Sequence, residues 1–223
     1  MASILMVVTN AGKLSHGRET GVWLSEFTEP YLSFIHAGHE VTVASPKGGE
    51  APVDPQSKGE VLINELEKGA SVLKDTVSLD DLESTDFDGI FLSGGHGTMF
   101  DFPGCERLQY ILKEMAADNK VIGAVCHGSA GFTQLMLSDG TPFLEGKRLT
   151  AFTNKEEKEI KLDKDMPFLL ESKVRELGAT FVSAPIFTEN VEINGKFVTG
   201  QNPQSSLRTA RMFLNVMEEQ ESV

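Results

Sequence analysis

Residues 121–130 read VIGAVCHGSA. An apolar, strand-like run ends on Cys126, passes at once to His127 and Gly128, and opens into a segment that reads as a helix. In open α/β sheets such strand-to-helix junctions lie at the carboxyl edge of the sheet, where ligands and chemistry gather. A cysteine at that position has two readings. It is either a small buried strand-end residue, as cysteine often is, or a nucleophile presented at a tight turn, with the helix N-terminus and backbone N–H groups at hand to stabilise a thiolate or an oxyanion. A tight turn needs small flanking residues, and Ala124 and Gly128 supply them. Glycine on both sides would be a sharper signal, so the pattern alone leaves both readings open.

Working outward, the same alternation recurs. Ile4–Val8 is a short apolar run followed by the turn-prone TNAGKLSHGRE, and then TGVWLSEFTEPYLSFIHAG places Trp23, Phe27, Tyr31 and Phe34 at helical spacing, with Gly38 as its stop. EVTVASP reads as a second strand and KGGEAPVDPQSKG as an exposed loop. Roughly Val61 to Asp88 reads as polar, helical or irregular. GIFLSGG is a third strand, CERLQYILKEMAADN a helix with Leu108, Ile111, Leu112 and Met115 on one face, and VIGAVC the fourth strand. Downstream, RLTAFT and TFVSAP read as strands flanking the helix DMPFLLESKVRELGA. VEINGKFV reads as a two-residue hairpin around Asn-Gly, and PQSSLRTARMFLNVMEE as a last helix with Pro203 in its first turn. Near-continuous apolar strands alternating with helices predict a mostly parallel sheet with helices on both faces, an α/β three-layer sandwich. One domain over residues 1–223 is expected from the length, and no internal repeat breaks it.

Composition narrows the function classes. A formal net charge of −13 repels phosphate backbones and anionic lipid, which argues against nucleic-acid and membrane-surface partners. The acidic runs LDDLESTDFD and VMEEQESV read as solvated surface. No apolar stretch reaches the roughly 18 residues of a membrane span, and the N-terminus lacks the pattern of a signal peptide, so a cytoplasmic location is expected. Cys105 and Cys126 are then expected as free thiols. The helix-start position of Cys105 reads as incidental, and His16, His36 and His39 read as surface residues. No His-Glu-x-x-His type spacing occurs, so neither a metal nor another cofactor is expected.

AVCHG, SGGHGTMFD, TGVWLSE, ASPKGG, LTAFTNKEE and VTGQNPQSS occur in this order over nearly the whole chain. Together they resemble the ThiJ/PfpI superfamily of class I glutamine-amidotransferase-like folds, and within it the branch of heat-shock chaperones and glutathione-independent glyoxalases. The resemblance implies a flavodoxin-like sheet with a nucleophile elbow. It implies Cys126 as nucleophile, His127 as its adjacent histidine, Glu26 as a carboxylic acid reaching the sulfur, and Glu157 as the acidic third member, with Glu156 keeping that register open. It further implies Gly94, Gly95 and His96 as oxyanion and substrate-binding positions, together with the backbone N–H of His127. Without the resemblance, Glu26 would read as solvent-facing, Glu157 as part of the charged run KEEKE, and His96 and His127 as polar turn residues.

These roles are chemically coherent. A free thiol has a pKa of about 8.5, so a reactive one needs donors that stabilise its anion. A buried, protonated Glu26 could be such a donor, because two adjacent anions are unfavourable. The implied activity is conversion of methylglyoxal or a similar small 2-oxoaldehyde to lactate through a Cys126 hemithioacetal, by a cofactor-independent lyase of the glyoxalase III (D-lactate dehydratase) type. Alternatives are a stress chaperone binding unfolded clients, a protein deglycase, and a redox sensor at Cys126. Glutamine amidotransferase and peptidase activity fit less well. The family likeness implies a homodimer.

Overall fold

The computed structural model describes residues 1–59 and 71–221. The part of the expected helical or irregular segment at 61–70 lies outside the described residues, as does the end of the acidic run VMEEQESV. The main sheet has seven strands, β1 (Ser3–Val7), β2 (Glu40–Ser45), β3 (Val77–Ser78), β4 (Gly89–Leu92), β5 (Val121–Val125), β8 (Val191–Asn194) and β9 (Phe197–Gly200), in the order β3-β2-β1-β4-β5-β9-β8. Every pairing is parallel except β8 with β9. Leaving out the short β3 edge, the centre has the flavodoxin-like order, whose crevice opens where the winding reverses beside β1.

Alternation along the strands builds two cores. Leu5 and Val7 face one side with Ile90, Leu92, Ile122 and Ala124, and pack against Leu108, Ile111, Leu112 and Met115 of α3 (Glu106–Ala117). Ile4 and Met6 face the other side with Phe91, Val121 and Val125, under α1 (Leu24–His36) and α6 (Ser206–Glu221). There Phe34, Phe91 and Phe213 pack in a triangle with ring centroids 5.3–5.6 Å apart. Gly123 sits beneath it: a Cβ would come within 2.7 Å of the Phe213 ring and 2.8 Å of Phe91. The glycine inside the opening stretch is therefore where α6 beds onto the sheet.

Several local expectations are corrected. RLTAFT and TFVSAP contribute only β6 (Arg148–Leu149) and β7 (Thr180–Phe181), which form their own parallel pair. Beyond Leu149 the backbone leaves the ladder, because Thr150 N–H donates to the Thr199 side chain at 3.0 Å. The hairpin holds, but its two-residue loop is Gly195-Lys196, with Asn194 paired to Phe197 and Gly195 supplying the positive φ of +62°. The loop KGGEAPVDPQSKG is anchored rather than fully exposed: Val22 N–H donates to Pro52 O at 2.7 Å, and Asp54 is buried against Thr20. The segment after Cys126 is a 3-10 helix, Cys126–Phe132, not an α-helix. Gly128 and Gly131 are weak α-formers, and both lie tight against Leu92 at the end of β4. His39, expected at the surface, is half-buried and accepts the Ala2 N–H at 3.1 Å.

Candidate active site

Cys126 directly follows β5 with φ of +56°, a left-handed conformation that non-glycine residues rarely adopt. The strain is local and held in place, since the flanking residues of the turn are all buried. The sulfur lines a cavity of about 180 Å³ shared with Gly95, His96 and His127 and walled by Trp23, Phe152, Ile160, Phe187, Pro203, Gln56 and Gln204. It is small and partly enclosed, the kind of site that holds a compact organic molecule.

His127 Nδ1 lies 3.2 Å from Cys126 Sγ, and its Nε2 lies 2.7 Å from Glu157 Oε2. The other oxygen of Glu157, Oε1, is 3.0 Å from His96 Nε2. Burial works against the Glu157 charge, but the charge and hydrogen bond of His127, with those of His96, hold its carboxyl well below the usual range. An ionised carboxylate only accepts, so both imidazoles donate through Nε2–H. That choice of tautomer leaves the lone pair of His127 Nδ1 directed at the thiol. Burial first, then His96, lower the His127 pKa, while Glu157 opposes them. A neutral imidazole, ready to take a proton, is the result.

Glu26 is wholly buried in the first turn of α1. Gly94 leaves the room it occupies: a Cβ there would collide with Glu26 Oε2 and stand 3.0 Å from Cys126 Cβ. Gly94 therefore sits behind the sulfur and is absent from the cavity lining, whereas Gly95 and His96 face the cavity. Burial first, then Glu26 in its ionised form, through charge and hydrogen bond, then the charge of Glu156, push the Cys126 pKa well up, and the His127 backbone N–H acts against them. Burial thus favours the thiol over its anion, with the His127 imidazole beside it.

The register between the two glutamates is decided by their partners. Glu156 faces away from the histidines. Its Oε2 accepts Thr153 N–H at 2.9 Å and Thr153 Oγ1 at 2.8 Å, a capping box at the start of α4 (Asn154–Glu159). Its Oε1 accepts Phe187 N–H, Gln201 Nε2 and Asn202 Nδ2 at 2.8, 3.2 and 2.8 Å. Glu157, one residue on, turns to His96 and His127.

Other contributors carried no signal in the sequence. Thr98 Oγ1 lies 2.8 Å from the carbonyls of both Gly95 and His127, joining the two glycine turns. Phe152 packs tilted against His127 with centroids 4.5 Å apart, and His96 lies 4.1 Å from His127 on the same measure. Nothing in the sequence pointed to Thr98. The ligating atoms of His96, His127 and Glu157 all lie within 4.8 Å of one another, a donor set of the type zinc accepts. The hydrogen bonds described above account for the same geometry through protons.

The sequence of residues 19–216 matches the model of the DJ-1/PfpI family. Glyoxalase 3 of Candida albicans is 30% identical over 234 residues, covering 98% of this chain and 99% of that protein. A glutathione-independent glyoxalase of Schizosaccharomyces pombe is 31% identical, covering 91% of this chain and 89% of its own. The crystal structure of the Candida albicans glyoxalase III superimposes with a TM-score of 0.88 at 31% identity, over 96% of this chain and 97% of that one. With this match running through the elbow, both glycine turns and the helix that carries Glu157, the chain belongs to the DJ-1/PfpI family.

Proposed function

We propose that the protein is a glutathione-independent glyoxalase that converts methylglyoxal, or a similar small 2-oxoaldehyde, to the 2-hydroxy acid. The observation that carries this reading is the proton line Cys126 Sγ, His127 Nδ1, His127 Nε2, Glu157 Oε2, opening on one small cavity. Relatives of nearly the same length are named for this activity.

As the thiol adds to the aldehyde carbon, its proton passes to His127 Nδ1, and the S–C bond forms as the carbonyl oxygen becomes an alkoxide. Gly95 N–H and the backbone N–H of His127 are assigned to that oxygen. The proton returns to the alkoxide and gives the hemithioacetal. His127 then removes the proton on the former aldehyde carbon, forming an enediol, and delivers it to the neighbouring carbon, leaving a thioester. Water cleaves the thioester, restores the thiol and releases lactate, so the net change is addition of one water. Glu157 supports the transient imidazolium, as the acid of a hydrolase triad does. In this reading Glu26 carries a proton and donates to sulfur, since a second anion beside the developing thiolate would oppose it.

This is the chemistry of a lyase of the D-lactate dehydratase type. Deglycation of protein-bound adducts shares its first covalent step. The test is lactate formation from methylglyoxal by purified protein without glutathione or added metal, native against Cys126→Ser. Lactate at the native rate from the variant refutes the mechanism. Loss of lactate with retained melting temperature supports it.

A further inference from the structure

We propose that Phe187 is a specificity residue of the same site, held against the cavity by Glu156, and that it selects 2-oxoaldehydes with an apolar, ring-sized substituent. The inference rests on the glyoxalase reading above and extends it to the part of the substrate remote from the sulfur.

Phe187 is the third residue of the turn Pro185–Thr188, closed by Thr188 N–H to the Pro185 carbonyl at 3.3 Å. Its φ is +56°. That position of a turn favours glycine when φ is positive, so a phenylalanine there is a strained choice that needs a reason. Phe187 lines the same cavity as Cys126 while remaining 37% exposed, so burial in a core does not supply the reason.

The strained conformation is held from below. Phe187 N–H donates to Glu156 Oε1 at 2.8 Å, and the same oxygen accepts from Gln201 and Asn202. Asn202 Nδ2 also donates to Thr188 O at 2.9 Å, and Ala184 N–H donates to Gln201 Oε1 at 2.9 Å. One buried carboxylate thus ties the turn that carries Phe187 to the helix that carries Glu157. Glu156 is a positioning residue: it sets the distance between the proton-transfer side of the cavity and its apolar wall.

The wall suits an apolar substituent. Trp23, Phe152, Ile160, Phe187 and Pro203 form it, and the cavity measures about 180 Å³. Apolar cavities of about 150 Å³ hold a benzene ring. Methylglyoxal, with a single methyl, leaves most of this wall untouched.

The experiment compares kcat/KM for phenylglyoxal and methylglyoxal in the native protein, Phe187→Gly, Phe187→Leu and Glu156→Gln. Glycine suits the backbone at 187, so that variant removes the ring without disturbing the turn. The phenylglyoxal to methylglyoxal ratio is expected to fall about tenfold in Phe187→Gly, the scale of one aromatic contact with its buried area. Phe187→Leu should recover most of the ratio, and Glu156→Gln should move it the same way, chiefly through KM. An unchanged ratio in Phe187→Gly overturns the specificity role. Equal losses on both aldehydes in Glu156→Gln reduce that residue to a structural one and overturn the positioning role. A second readout separates this from the glyoxalase reading: the rate at which Cys126 is alkylated by iodoacetamide and by its N-phenyl derivative, followed by peptide mass spectrometry. If the native protein turns over neither aldehyde, the glyoxalase reading fails, and the wall is still judged by whether Phe187→Gly removes the advantage of the phenyl reagent.

Discussion

Gly94→Ala isolates the contact between Glu26 and the elbow. The backbone at Gly94 is not in the left-handed region, so alanine brings a steric change alone. Its Cβ would overlap Glu26 Oε2, stand 2.7 Å from the Val125 carbonyl oxygen and 3.0 Å from Cys126 Cβ. Val125 O belongs to β5, an interior strand of the sheet, and cannot give, and the carboxyl is wholly buried, so it has nowhere open to swing. Overpacking of this kind costs about 1–3 kcal/mol. For a chain of this length that corresponds to a fall of roughly 2–12 °C in Tm. The catalytic effect should exceed the stability effect, because a shift of about 1 Å in a reacting group costs on the order of 100-fold in rate. Differential scanning calorimetry and a lactate assay read the two losses. The double variant Gly94→Ala, Glu26→Ala removes the overlapping oxygen, so it should regain part of the Tm and none of the activity. An unchanged Tm and full activity in Gly94→Ala would refute the claim that Glu26 is packed against the nucleophile through this glycine.

Glu157→Gln leaves an amide facing two Nε2–H donors, so one imidazole loses its acceptor and the tautomer of His127 is no longer enforced; kcat should fall between about 10²- and 10⁴-fold with little change in KM, and a loss of only a few fold in steady-state kinetics would count against the triad. Asp101 gives a stability prediction whose sign depends on pH. Its Oδ2 accepts from Thr9 Oγ1, Asn10 N–H and Ala11 N–H, while Oδ1 is buried without a partner among the described residues. Burial, against those hydrogen bonds, raises its pKa from 3.8 to about 6. The folded state therefore holds the proton more tightly than the unfolded one, so this group favours folding below pH 3.8 and loses that contribution as pH rises through about 6. At about 1.4 kcal/mol per pH unit the loss amounts to roughly 3 kcal/mol. Asp101→Asn keeps an acceptor for the three donors and removes the titration, so it should raise Tm at pH 8 and leave it nearly unchanged at pH 4; equal shifts at both would contradict this account.

The elbow, the order of strands and helices and both glycine turns were legible in the sequence because each rests on local rules: apolar period, turn residues and small flanks around Cys126. The hairpin was legible in kind and displaced by one residue, since Asn194 could pair across the ladder and leave the loop to Gly195-Lys196. What tertiary structure decided was every relation between residues distant in the chain. Glu26 reads as a surface glutamate on its own helix, and becomes a partner of the sulfur only because the first turn of α1 reaches the elbow where Gly94 lacks a side chain. Glu156 and Glu157 are indistinguishable in NKEEKE. A turn of about 100° about the α4 axis sends one into the polar tie beneath Phe187 and the other to two histidines. The protonation state of Cys126 was likewise beyond the sequence: backbone donors favour an anion, and the depth of burial beside a second acid outweighs them. Position along a strand follows from local chemistry, whereas the charge a buried group carries follows from everything folded around it.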